Sequence, residues 1–250
     1  MSENTMGSLA WGLRRKGALS SMERMKVVKN LAFLQSREAY DRIRRQLGFL
    51  KPASLNFEDF DIPDSPMALD SLNIAESEQS RPLYYHCWRT YYFAALIAKH
   101  DQISFDPEFL LTAAMLHDIA LTDNADIPSL ENCCFAVSGG EHAKNRLINM
   151  GYGEKVSDEI GEAISLHLNL NVPRRKHGND AYLLARGACC DVFGAGKWRI
   201  HRTSLDALLK TYPRDGVEEA LGFGTANHMP NSRAHFMGKL FGGKAPPTPF

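Results

Sequence analysis

The dipeptide His117-Asp118 ends an otherwise apolar stretch that reads Ala-Ala-Met-Leu-His-Asp-Ile-Ala. Leu111, Met115 and Leu116 can be buried on one helix, so the imidazole and the carboxylate emerge at or near the core. Burying two such groups side by side is costly unless they are paired or bind a metal ion. Because a divalent cation offsets that cost directly, the dipeptide is a candidate metal-binding element.

Three more polar residues interrupt apolar helical patterns: His86 among bulky aromatic residues, His167 in Ala-Ile-Ser-Leu-His-Leu, and Asp191 in Gly-Ala-Cys-Cys-Asp-Val-Phe-Gly. Each alone is typical of a satisfied core residue, but together they occupy successive apolar helices and favour a shared site. The ordered set of two imidazoles and two carboxylates is His86, His117, Asp118 and Asp191. These N and O ligands suit zinc, iron, manganese or nickel. We expect one divalent metal ion, with zinc as the first candidate.

The segments that carry these residues show helix start and stop signals. Pro82 to about His100 is a strongly apolar helix, and Asp106-Pro107-Glu108 is a typical start for the helix that reaches His117. One other predicted helix begins at Pro66, with Asp64 or Ser65 as its cap. The remaining ones span residues 138–150, 154–168, about 180–193, 204–209, 216–221 and 232–240. No alternating strand pairs occur, so the pattern predicts an all-α fold, a globular helical array.

Residues 1–50 form a basic N-terminal segment that we interpret as a helical arm. Lys and Arg outnumber acids there, and apolar residues recur with helical spacing at Val27, Leu31 and Leu34. A solvated helix, a subunit contact that forms a homo-oligomer, and a mitochondrial presequence are all compatible with this composition.

The rest of the chain is expected to form one main domain over residues 51–241, followed by a loose tail over residues 242–250. Residues 51–66 contain three prolines and are predicted to be an extended lead-in. The tail contains Ala-Pro-Pro-Thr-Pro, which resists regular structure.

The composition excludes several classes of function. The chain has 250 residues, with 29 Lys+Arg against 29 Asp+Glu, so it has no global basic field and we expect no nucleic-acid partner. No apolar run approaches the ~20 residues of a membrane helix, and no secretory signal is expected. The 5 cysteines include two adjacent pairs and no CxxC, which favours a reducing compartment such as the cytoplasm. A small-molecule substrate is the expected partner.

Six segments, in order, carry a family resemblance. They are Asp61-Ile-Pro-Asp-Ser-Pro66, Tyr85-His-Cys-Trp-Arg-Thr-Tyr91, Met115-Leu-His-Asp-Ile-Ala-Leu-Thr122, Phe135-Ala-Val-Ser-Gly-Gly-Glu-His-Ala143, Ala163-Ile-Ser-Leu-His167 and Gly187 to Gly194. Over about residues 61 to 240, the chain resembles the HD-domain metal-dependent superfamily, whose signature is H…HD…D on a helical scaffold. It is most similar to the cyanamide-hydratase-like branch. Departures from that branch at Tyr85, Ala120 and Ala136 leave the substrate open.

The resemblance implies a metal-dependent hydratase or hydrolase. In such an enzyme a metal-bound hydroxide attacks a small neutral, nitrile-like substrate, as in the conversion of cyanamide to urea. His167 is the candidate proton shuttle, or it orients a ligand carboxylate. Arg89 either anchors a substrate or pairs with an Asp of the metal site, and Thr122 either binds substrate or caps a helix end.

Two other reactions and one non-enzymatic role stay open. Many HD phosphohydrolases carry Lys or Glu where this chain has Leu121, and a phosphate site should gather cations, so a nucleotide phosphohydrolase is the second hypothesis. We expect a lysine at position 121 to impair turnover of a neutral substrate. His142 and His167 could instead complete a dinuclear oxygenase. A binding protein with a vestigial metal site is the remaining alternative.

Overall fold

The computed structural model describes residues 5–56, 60–129, 132–222, 228–242 and 250, and these residues form α-helices without a β-strand. The helices within these ranges are α1 Leu9–Arg15, α2 Ser21–Gln46, α3 Pro66–Glu78, α4 Arg81–Asp101, α5 Pro107–Leu116, α6 Phe135–Asn149, α7 Glu154–Leu166, α8 Arg174–Phe193, α9 Arg202–Thr211, α10 Val217–Ala220 and α11 Arg233–Leu240. Short 3₁₀ turns lie at Ile119–Leu121 and Lys197–Arg199. The prediction of an all-α fold is confirmed.

Parts of three predicted segments lie outside the described residues. The loose tail falls mostly on residues 243–249, the basic arm includes residues 1–4, and the extended lead-in includes residues 57–59.

The helix starts follow the capping residues seen in the sequence. The Ser65 hydroxyl accepts a hydrogen bond from the Ala68 amide, directly before Pro66 at the first position of α3. The Asp106 carboxylate accepts from the amides of Glu108 and Phe109 and so starts α5. These caps satisfy backbone donors that the first helical turn leaves without an intrahelical partner.

Helix α4 is the central element of the core. It is buried on all sides from His86 to Ala98 and packs against α5 and α8. The approach to α8 is close enough to require a glycine, because a Cβ on Gly187 would lie 2.1 Å from the Thr90 carbonyl oxygen. This tight pairing fixes the position of His86 on α4 relative to Asp191 on α8.

The start of the N-terminal segment is part of the core. Trp11 on α1 is only 3 % exposed, and the Gly7 carbonyl accepts a hydrogen bond from Ser165 on α7. The side chain of Asn169 donates to the Met6 carbonyl. Residues 5–19 therefore cover the end of α7 that leads to His167.

Helix α2 packs on the domain with one face and exposes the other to solvent. Val27 and Leu34 are buried against the domain, as the helical spacing predicts. The opposite face leaves apolar side chains in solvent, including Met25 at 71 % and Phe33 at 60 % exposure.

Among the described residues, no helix is long and apolar enough to span a membrane.

Candidate metal centre

His86, His117 and Asp118 come together in the core of the domain. His86 lies on α4, whereas His117 and Asp118 follow the last turn of α5. All three are at most 1 % exposed, and one ligand atom from each lies within 4.8 Å of the others. Three of the four residues that were predicted to converge on a metal therefore lie together in the structure.

Hydrogen bonds fix which ring nitrogens face the centre. His117 Nδ1 lies 2.7 Å from the Ala114 carbonyl oxygen, and His86 Nδ1 lies 2.6 Å from Asp191 Oδ2. Carbonyl and carboxylate oxygens only accept hydrogen bonds, so both Nδ1 atoms carry hydrogen and both Nε2 atoms present lone pairs.

These lone pairs point at one another and at a carboxylate. The two Nε2 atoms are 3.1 Å apart, and they lie 3.4 Å (His86) and 3.3 Å (His117) from Asp118 Oδ2. Asp118 Oδ1 is buried and accepts no hydrogen bond from the described residues. A buried group of acceptors without a donor is unfavourable by itself, and a divalent cation among them would satisfy all three residues at once. The donor set therefore fits a metal ion.

The electrostatics of the group agree with this interpretation. Burial opposes ionisation of Asp118, but the neighbouring His117 and the hydrogen bond with His86 outweigh it and hold the pKa of this carboxyl well below its usual value. Burial lowers the pKa of His117. It also opposes the charged form of His86, but the carboxylates of Asp118 and Asp191 outweigh it and raise the pKa of this imidazole. The two buried carboxylates, Asp118 and Asp191, thus favour positive charge beside the histidine nitrogens.

Asp191, predicted as a fourth direct ligand, is not one of the three grouped residues. Its side chain is 0 % exposed, and both carboxylate oxygens are already engaged. Oδ2 holds His86 Nδ1, while Arg89 and Arg214 bind the carboxylate from the other side. Asp191 thus lies behind His86 and orients the ring, as carboxylates commonly do for metal-bound histidines.

Arg89 is buried and makes its contacts behind Asp191, while a role in anchoring a substrate stays a prediction. Its Nε donates to Asp191 Oδ1 over 2.8 Å and its Nη2 to Asp191 Oδ2 over 3.0 Å. The Nη1 atom donates to the carbonyls of Tyr212 and Pro213. The alternative expectation, that Arg89 pairs with an Asp of the site, matches these contacts.

Thr122 and Leu121 also lie away from the centre. The Thr122 hydroxyl donates to the Ile119 carbonyl over 2.7 Å and closes the 3₁₀ turn after Asp118. Both residues line a separate groove that includes Asp123 and Asp126. This position argues against the catalytic role predicted for Thr122 and against the expected effect of a lysine at position 121, and measured activity must test both predictions.

His167 does face the centre. Its Nδ1 donates to the Ile164 carbonyl over 2.7 Å, and its Nε2 lies 3.5 Å from Asp118 Oδ1. Burial lowers the pKa of His167 to about 3 even though the Asp118 carboxylate opposes this shift, so the imidazole is neutral with an unprotonated Nε2. The unprotonated Nε2 of His167 therefore lies beside the metal-binding group.

A cavity of about 390 Å³ opens from the centre, with His86, Asp118 and His167 in its wall. The rest of the wall is mostly apolar, and the further lining residues include Phe135, Leu168, Val192, Phe193 and Met237. His228 and His235 line it as well. His142 instead lines a polar groove with Glu78 and Asn145, so the predicted dinuclear pair of His142 and His167 is not brought together.

Sequence reasoning missed two residues that support the centre. Arg214 donates to the carboxylate and to the carbonyl of Asp191. Gln79 donates to the Met115 carbonyl and accepts from the Cys87 thiol, which links the end of α3 to the helices bearing the histidines. Each lies in a polar stretch of sequence that gives no signal of burial, so only the fold reveals these contacts.

Comparison with known families agrees with the geometry. Residues 83–189 match the family model for the HD domain, a range that contains His86, His117 and Asp118. This match and the helical fold support the HD-domain superfamily as the class of this region, and the buried His86-His117-Asp118 group fits its metal dependence. No curated protein matches the chain significantly.

Proposed function

We propose that this chain is a metal-dependent hydratase that adds water to a small neutral substrate with a nitrile-like carbon. The observation that carries the proposal is the acceptor-only group of His86, His117 and Asp118 at the deep end of an apolar cavity. A divalent metal held by these residues would supply a water that is activated at neutral pH.

The surrounding residues would orient the metal-binding histidine and transfer the proton. Asp191 keeps His86 in the tautomer with an unprotonated Nε2, and Arg89 holds Asp191 in place. His167, with its free Nε2 beside Asp118, would accept a proton from water and return it to the substrate nitrogen. The apolar wall, with Phe135 beside His167, limits access of bulk water.

Hydration of a nitrile balances without any other reactant. The water oxygen becomes the carbonyl oxygen, the carbon–nitrogen triple bond becomes the single C–N bond of an amide, and both water hydrogens finish on nitrogen, with no change in the oxidation state of carbon. No leaving group departs, so the site needs no group to stabilise one.

The charges along the cavity favour this reaction over phosphate-ester hydrolysis. A phosphate monoester carries about two negative charges, and sites that bind it gather cations. Lys239 is the one Lys or Arg among the described residues of the cavity wall, and it is exposed.

The test compares two reactions of the full chain loaded with zinc, manganese or iron. We expect urea from cyanamide, in a metal-dependent manner, and no phosphate from nucleoside monophosphates. Asp123→Ala is the control, since this exposed residue lies near the motif but outside the cavity. Phosphate release without urea formation would refute the proposal.

A further inference from the structure

The cavity is much larger than a cyanamide-sized molecule needs. Its volume of about 390 Å³ lies within the range of roughly 300–1,000 Å³ that is typical of pockets for larger organic ligands. At roughly 30 Å³ per water molecule, it could hold about a dozen waters. A substrate that reached only the metal-binding group would leave most of this space to solvent.

The wall of the cavity changes character along its length. The polar atoms of His86 and Asp118 lie at the most buried end, where both residues are 1 % exposed. Val192 and Phe193 at the end of α8 and Leu168 after α7 are partly buried and form apolar walls. Lys239 on α11 is exposed and marks the outer rim.

We propose that the substrate carries an apolar aliphatic or aromatic group of several carbons, which fills this cavity while the reacting carbon lies at His86 and Asp118. This inference rests on the proposed function and specifies its substrate class. Apolar wall atoms gain from contact with an apolar substituent and gain nothing from a substrate that lacks one. Selectivity between nitriles would then depend on the substituent.

Gly238 on α11 occupies a position in this wall that could control substrate length. Gly238 lines the cavity, and a Cβ there would meet no atom within 4 Å, so a side chain can begin at this position without a clash. A phenylalanine there would project into space that the substrate group needs. Gly153 before α7 also has open space around its Cβ, is exposed and lies outside the cavity, so it provides a matched control.

The first experiment measures kcat/KM of the zinc-loaded chain for acetonitrile, propionitrile, butyronitrile and phenylacetonitrile, by mass spectrometry of the amide. We expect kcat/KM to rise roughly threefold for each added methylene, and about tenfold or more from acetonitrile to phenylacetonitrile. A flat or falling series, with cyanamide still hydrated, would overturn the inference and leave the proposed function intact.

A second measurement does not depend on turnover. Isothermal titration of the corresponding amides into the same protein should give Kd values that fall along the series. If no nitrile reacts but the amides follow this trend, the proposed reaction is wrong and the apolar substrate site stands. If the Kd values do not depend on the substituent, the inference is overturned whatever the reaction.

The variant test uses Gly238→Phe with Gly153→Phe as its control. We expect Gly238→Phe to lower kcat/KM for phenylacetonitrile about tenfold more than for acetonitrile, and to weaken phenylacetamide binding similarly. Gly153→Phe should change neither ratio. An equal effect of Gly238→Phe on short and long substrates would contradict a cavity that selects by substituent size.

Discussion

Asp191 Oδ2 lies 2.6 Å from His86 Nδ1. The last acid of the H…HD…D pattern therefore accepts a hydrogen bond from the first histidine, at the ring nitrogen that faces away from the centre. The carboxylate is fully buried and is itself held by Arg89 through two hydrogen bonds. The contacts of Arg89 with Asp191, and of Asp191 with His86, fix the orientation of the imidazole independently of a bound metal. This arrangement sets the tautomer that leaves Nε2 free.

Asp191→Asn should weaken zinc binding without abolishing it. The amide keeps the shape of the side chain but loses the charge that fixes the tautomer of His86, and loss of such supporting carboxylates weakens metal affinity by about 10–100-fold. Chelator competition measures the Kd for zinc, with the exposed Asp123→Asn as the control. Complete loss of zinc from a folded Asp191→Asn protein would instead identify Asp191 as a direct ligand.

Leu121→Lys and Thr122→Val should each leave kcat/KM within about twofold of the wild-type value. Both side chains line a groove separate from the cavity, and the Thr122 hydroxyl donates a hydrogen bond to the Ile119 carbonyl. A change of this size corresponds to less than about 0.5 kcal/mol, as expected away from the reacting groups. Steady-state kinetics on the preferred substrate tests this. A large loss of kcat/KM in Thr122→Val would show that the Thr122 hydroxyl takes part in catalysis.

Gly187→Ala should destabilise the fold and weaken metal binding together. Its Cβ would lie 2.1 Å from the Thr90 carbonyl oxygen, so α4 and α8 must move apart. Inserting atoms into a packed core costs about 1–3 kcal/mol, and these two helices carry His86 and Asp191. Urea unfolding and zinc titration measure both effects. Gly153→Ala, where a Cβ meets no atom within 4 Å, should change neither.

Trp11→Ala should cost about 3–5 kcal/mol of unfolding free energy, the usual cost of removing a buried aromatic side chain. Trp11 is 3 % exposed, donates a hydrogen bond to Glu23 over 2.7 Å, and lies beneath the Arg233 guanidinium. Leu13→Ala on the same helix is the control, because Leu13 is 53 % exposed. If both variants unfold at the wild-type urea concentration, α1 is not part of the folded core.

The sequence was sufficient for the helices because their apolar periodicity and their capping residues agree. Ser65, Asp106 and Ser232 each start a helix as predicted. Boundaries differ where local signals conflict. The range Arg174–Phe193 given for α8 joins two helical segments at a kink at Gly178, whose φ is 83°, and the second segment begins close to the predicted start near residue 180.

For the candidate site, the sequence predicted which polar residues would be buried but not how they pair. His86, His117 and Asp118 stand out because imidazole and carboxylate groups interrupt apolar helices. The pairing of Asp191 with Arg89 and Arg214 depends on the packing of α8 against α4 and on the loop after α9, which periodicity does not encode. Residue types therefore located the centre, and three-dimensional contacts assigned the supporting roles.

The most direct test of the account is the metal content of the purified full chain and of two ligand variants, measured by plasma mass spectrometry. We expect about one equivalent of a divalent metal in the wild type and in Asp123→Ala. His117→Ala and Asp118→Ala should retain less than about a tenth of an equivalent, because a group of three residues has no spare ligand. Normal metal content in both folded ligand variants, or none in the wild type after metal supplementation, would contradict the central claim.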